Sequence, residues 1–210
     1  MFRHNLSNYN LMSDAKKRIV LCLFIFAILV IDQASKFYIK LNFPLGSHIE
    51  VFPWFQICFV ENPGMAFGWE FFDKLFLTIF RIVAVGAITW YLHSLIKQKV
   101  RLSYLLTIAL ILAGAAGNII DCVFYGAIFS ESTIFNAATL FPEGGGYAPW
   151  FYGNVVDMLY FPLIHNSAGE VLFFQPVFNI ADSAITIAVF ILLLFFRKDL
   201  NDSFEKQKTE

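Results

Sequence analysis

The run from Ser183 to Phe196 contains no charged residue, and it constrains the fold more than any other stretch of this chain. Its fourteen positions cover about 21 Å as a helix, against a hydrocarbon core roughly 30 Å thick. A helix that spans a bilayer must therefore begin earlier, and Pro176, acceptable in a first turn because its missing N–H has no partner there, predicts a span over 176–196. Asp182 then sits about two turns below the membrane boundary. A carboxylate at that depth costs on the order of 2.5–3.5 kcal/mol, which makes it a functional-site candidate that needs a partner.

Three further runs predict helices over 19–40, 75–96 and 102–120. Apolar residues make up 58% of the 210 positions and charged residues 15%, which excludes an ordinary soluble domain and points to one polytopic membrane domain. The first helix follows Lys16-Lys17-Arg18 and resembles a signal-peptide core, but no small-residue cleavage site ends it. Asp32 and Lys36 share a face near its far end, placed for an ion pair that either lies at the interface or serves a site. Residues 41–73 predict a small outer β element followed by the turn Asn62-Pro63-Gly64, with Trp54 and Trp69 at headgroup level. Segment 122–175 reads as a long outer loop with a flexible point at Gly144-Gly145-Gly146 and a solvated tail follows Asp199. The fold class is an all-α membrane protein with four transmembrane helices and these two outer segments.

Lys and Arg occur before the first helix, between 97 and 101 and after 196, while 41–73 and 102–196 have none. The positive-inside tendency then places both termini in the cytoplasm and the polar clusters outside. Within helix two Arg81 is the exception, about two turns in, and a snorkelling side chain is the plain reading of it.

Asn118 and Asp121 close the third helix, Asp157 lies in the long outer segment just before the chain returns, and Asn179 and Asp182 lie three residues apart on the fourth helix. Two carboxylates that meet in a poorly solvated site cannot both ionise easily, and one becomes an acid beside a charged base. Asp157 and Asp182 in that state suit water attack on a peptide carbonyl. The same acids also suit cation binding or a proton path, so a small ion- or proton-coupled transporter and a scaffold protein stay open as alternatives. A transporter needs acids through the membrane depth, and the inner halves of the helices lack them. No H-E-x-x-H motif occurs, and Cys22, Cys58 and Cys122 form no C-x-x-C pair.

Asp32-Gln33-x-Ser35-Lys36, Asn62-x-Gly64-x-Ala66-Phe67, Gly117-Asn118-x-x-Asp121, Val155-Val156-Asp157 and Phe178-Asn179-x-Ala181-Asp182 occur in this order. Together they closely resemble the lipoprotein signal peptidase (signal peptidase II) family. The resemblance implies an aspartyl endopeptidase of the bacterial cytoplasmic membrane, multi-pass, with its site facing outward and without metal or cofactor. Its substrates are diacylglyceryl-modified prolipoproteins within membrane lipid, cut just before the modified cysteine, and nucleic acid has no part. Asp157 and Asp182 match the catalytic aspartates. Asn118, Asp121 and Asn179 match residues that orient the pair, and Asp32, Lys36, Asn62 and Gly64 match residues lining or supporting the pocket. Two features depart from the pattern. Cys122 stands where the family usually has Arg, for which Arg81 is the expected substitute. Asp121 and Asp157 are 36 positions apart, and the extra stretch over 122–153 is either a lid or a surface excursion.

Overall fold

The computed structural model describes residues 12–63, 74–165, 171–173 and 176–209, so Gly64 and Trp69 lie outside the described residues. Helices α1 (Asp14–Asn42), α2 (Lys74–Lys97) and α3 (Leu102–Ile120) form the bundle with α5 (Ile180–Phe195). Strands β1 (His48–Phe52) and β2 (Phe55–Asn62) make the expected hairpin after α1. A π-helical turn over Asp121–Tyr125 and a short α4 (Gly126–Ile128) prolong α3, so that Leu102–Ile128 is one continuous apolar span. The chain then supplies β3 (Val155–Tyr160), a small pair β4 (Ile164–His165) and β5 (Val171–Phe173), and finally α5 and α6 (Arg197–Thr209).

α1, α2 and the α3 span are each long and apolar enough to cross a membrane; α5 joins them as a fourth only together with α6, which bends away by 88°. α3 is central and packs on α1, α2 and α5. Apolar burial gives no preference for helix contact in lipid, so close approach depends on small side chains. A Cβ at Gly114 would lie 2.4 Å from the Ala181 carbonyl oxygen, and one at Gly117 would lie 2.6 Å from Asp32 Oδ2. These two glycines let α1, α3 and α5 meet where the polar residues are.

The fourth helix departs from expectation. It begins at Ile180 rather than 176 and its 16 residues extend about 24 Å, short of a typical hydrocarbon core. Phe178 is the cause, because it exchanges backbone hydrogen bonds with Leu159 (2.7 and 3.0 Å) and is thereby held extended against β3. Asn179 then caps the helix, and Asp182 belongs to its first turn instead of lying two turns deep. The tail from Asp199 is also not free chain: α6 buries Ser203, whose hydroxyl meets Tyr91 at 2.6 Å.

The long segment is more than a loop. β3 pairs antiparallel with β2, giving a three-stranded sheet β1-β2-β3 in place of a hairpin alone. Successive strand residues point to opposite faces. On one face Val156 and Met158 are buried with Phe59, Tyr125, Phe129 and Ala138, and each such aromatic contributes roughly 1.5–3 kcal/mol by leaving water. The opposite face carries Asn62 and Asp157. Residues 129–154 therefore back the sheet from behind, which contradicts both the lid over the cleft and the bare surface excursion.

Candidate active site

Five elements converge at the end of the bundle that carries the sheet. α5 needs partners for its first N–H groups, since a helix start leaves them unpaired. Asn179 supplies one by accepting from the Asp182 N–H at 2.9 Å, and its own N–H donates back to Asp182 Oδ2 at 3.4 Å, a reciprocal capping box. Asp32, from α1, supplies another by accepting from the Ala181 N–H at 2.9 Å. The capping requirement thus holds Asp182 in place and ties α5 to α1.

Lys36 is fully buried and lies 3.0 Å from Asp32 and 2.8 Å from Asp121, both of them buried too. The expected Asp32–Lys36 pair exists, but it is an interior one. Gln33 donates to Asp32 at 3.0 Å and to Asp121 at 2.9 Å and accepts from the Tyr125 hydroxyl at 3.0 Å. Asp121 in turn accepts from the Val156 N–H at 3.2 Å, which anchors β3 one residue before Asp157.

Lys36 also donates to Asn118 Oδ1 at 2.9 Å, and this contact determines which way two amides face. An ammonium only donates, so Asn118 must turn its oxygen to Lys36 and its nitrogen away. That nitrogen donates to Asp182 Oδ1 at 2.8 Å. The Asn118 oxygen also accepts from Asn179 Nδ2 at 3.1 Å, and the same nitrogen donates to Asp157 Oδ1 at 2.7 Å. One buried cation therefore sets a chain of donors that ends on both Asp157 and Asp182.

Asp157 is 4% exposed. Burial and then the nearby Asp182 raise its pKa to about 7, against hydrogen bonds from Asn179 and Asn62 and the field of Lys36. A carboxyl in that state keeps its proton below neutral pH and shares it about equally with solvent near pH 7, beside a second carboxyl, which is the combination that acid–base catalysis needs. Among the described residues no group of three or more His, Cys, Asp and Glu side chains is placed to hold a metal ion.

Arg81 does not simply snorkel: its Nη1 donates to Cys122 Sγ at 3.1 Å. Gln33, Tyr125, Lys40 and Glu61 were not expected in the polar interior. Gln33 adjoins Asp32 in sequence, and Lys40 lies one turn beyond Lys36 on the same face, so both carried a signal. Glu61 and Tyr125 meet their partners only through the fold.

Residues 24–197 match the family described as signal peptidase (SPase) II. The lipoprotein signal peptidase of Porphyromonas gingivalis is 46% identical over 200 residues, covering 90% of this chain and 88% of its own. That of Amoebophilus asiaticus is 37% identical over 192 residues, covering 84% of this chain and 77% of its own. A bacterial membrane enzyme determined by the in meso method superposes with a TM-score of 0.60 at 25% identity, over 87% of this chain and 90% of that one.

Proposed function

Because this chain belongs to the signal peptidase II family and is an aspartic peptidase that removes signal peptides from prolipoproteins, we propose that Asp157 and Asp182 are its catalytic pair. Asp182 takes a proton from a water held between the two carboxyls, and the resulting hydroxide attacks the carbonyl carbon of the scissile peptide. Asp157 gives its proton to the carbonyl oxygen. As the tetrahedral intermediate collapses, the C–N bond breaks, Asp182 returns its proton to the departing amine and the intermediate's hydroxyl restores the proton of Asp157. The observation that carries this assignment is the single donor chain Lys36–Asn118–Asn179, which reaches both acids.

Asn118 and Asn179 orient the pair, while Asp32, Lys36 and Asp121 hold the helices and β3 that present it. Asn62 steadies Asp157 from β2, and Gly64 adjoins that strand in sequence. Arg81 stands against the side chain at position 122 and supplies the cation that the family places there. The substrate is a diacylglyceryl-modified precursor. Phe52, Trp54, Phe161 and Phe178 form a stacked run, with neighbouring rings 5.4–6.3 Å apart, from the hairpin to the residue before Asn179, an apolar flank suited to acyl chains.

Basic residues at the start of α1, between α2 and α3 and at the start of α6 share one end of the bundle. In our reading that end is cytoplasmic, the protein is a multi-pass resident of the bacterial inner membrane, and the dyad faces outward. A proton path is disfavoured because Asp32, Asp121 and Asp182 gather in one cluster around Lys36 and Asn118 rather than being spread along the spans. The reading is tested by incubating the purified protein with a lipid-modified precursor and mapping the products by mass. A new N-terminus at the modified cysteine is expected; an uncut precursor, or a cut elsewhere, contradicts it.

A further inference from the structure

A second buried polar network lies behind the sheet, on the face opposite Asp157. Glu61 on β2 accepts from Lys40, which is fully buried at the end of α1, and from Ser132 at 2.7 Å. Its second oxygen accepts from Asn154 Nδ2 at 2.9 Å. Asn154 also accepts from Lys74 at the start of α2, and its N–H donates to the Tyr147 hydroxyl at 2.6 Å. Lys40 further faces the rings of Phe129 and Tyr147, at 5.4 and 5.0 Å. Burial would push the Glu61 carboxyl up, but Lys40, Asn154 and Ser132 together hold it below the ordinary glutamate range.

This network has a defined relation to the dyad. Glu61 pairs with Val156 across the sheet, while Val60 pairs with Asp157 and Asn62 with Val155. Glu61 is thus the residue before Asn62, a hydrogen-bond partner of Asp157, and Asn154 is three residues before Asp157 itself. The two strands that present the acid are gripped from behind at one point.

Taking the dyad of the preceding subsection as its premise, we propose that Glu61 is a positioning residue for Asp157, and that the stretch 129–154 exists to complete its grip on β2 and β3. The register that Glu61 and Asn154 hold decides where the Asp157 carboxyl stands relative to Asp182. A misplacement of about 1 Å at a reacting group is enough to cost on the order of a hundredfold in rate. Loosening this grip therefore lowers turnover while leaving substrate binding largely alone.

The test uses the full-length protein with a lipid-modified precursor, reading kcat, KM and thermal unfolding. Glu61→Gln leaves Lys40 buried without its anion and is expected to unfold earlier for that reason alone. The double variant Lys40→Met with Glu61→Met removes both charges, so its unfolding returns towards wild type. Its kcat is nevertheless expected to stay about tenfold or more below wild type at unchanged KM. If the double variant is folded and its kcat is within twofold of wild type, Glu61 is merely structural and the inference falls. Should the double variant not fold, Asn154→Ala, which spares the Lys40–Glu61 pair, decides by the same criterion. Asp157→Asn run alongside separates the premise from the inference: undiminished cleavage by Asp157→Asn removes the dyad itself, whereas its loss with a fully active double variant removes only the role of Glu61.

Discussion

Asn179 does two jobs with one side chain, and two substitutions separate them. Its oxygen caps α5 by accepting from the Asp182 N–H, while its nitrogen donates to Asp157 at 2.7 Å and to Asn118 at 3.1 Å. Asn179→Ser keeps an oxygen at the cap, because serine is nearly as good there, but no longer reaches Asp157. Asn179→Ala loses both functions. A lost N-cap costs about 1 kcal/mol, so the alanine variant should be less stable than the serine variant by that amount. Asp157 becomes charged as it gives up its proton, and a hydrogen bond to a charged group contributes about 1.5–3 kcal/mol; each 1.4 kcal/mol is tenfold in rate, so both variants should lose roughly ten- to a hundredfold in kcat/KM. Cleavage of a lipid-modified precursor gives the kinetics, and unfolding in detergent gives the stability difference. Serine activity equal to wild type, or equal stability of the two variants, would refute this division of roles.

Other consequences are more direct. Arg81→Ala should lower precursor cleavage, since it withdraws the cation at Cys122; an unchanged rate disproves the compensation. Asp157 keeps its proton up to about pH 7, so kcat/KM should fall on the alkaline side with an apparent pKa near that value, and a flat profile between pH 6 and about 8.5 would contradict the acid role. The same shift means that between about pH 4 and 7 the native state holds a proton the unfolded chain has released, so this group's contribution to stability declines as pH rises through that window. Gly117→Val should separate α1 from α3 and α5, because even a Cβ there comes within 2.6 Å of Asp32 Oδ2; wild-type thermal stability would show that the close contact does not matter.

Much of this was legible in the sequence because it is local. The spans of α1, α2 and α3 follow from long, mainly apolar runs and end within a few residues of expectation, α1 being extended backwards by the Ser13 cap. Asn118, Asp121, Asp157, Asn179 and Asp182 do meet, and Asp32 and Lys36 do pair. Non-local pairing hid the rest. Nothing near Phe178 announces its bridge to Leu159, yet that bridge delays α5 and moves Asp182 into a first turn. Asp157 reads as part of a returning loop until β2 is brought beside it. The stretch 129–154 looks like an excursion because Ser132, Tyr147 and Asn154 find their partners only across the sheet, on α1 and on β2.

The central claim is that Asp157 and Asp182 act as one unit on a single water. Single-turnover cleavage of a diacylglyceryl-modified precursor by Asp157→Asn, Asp182→Asn and the double variant, each first verified as folded in membranes, addresses it most directly. Both single variants should lose turnover almost completely and the double variant should be no worse than either, as expected for residues that function together. Substantial cleavage by either single variant would contradict the account.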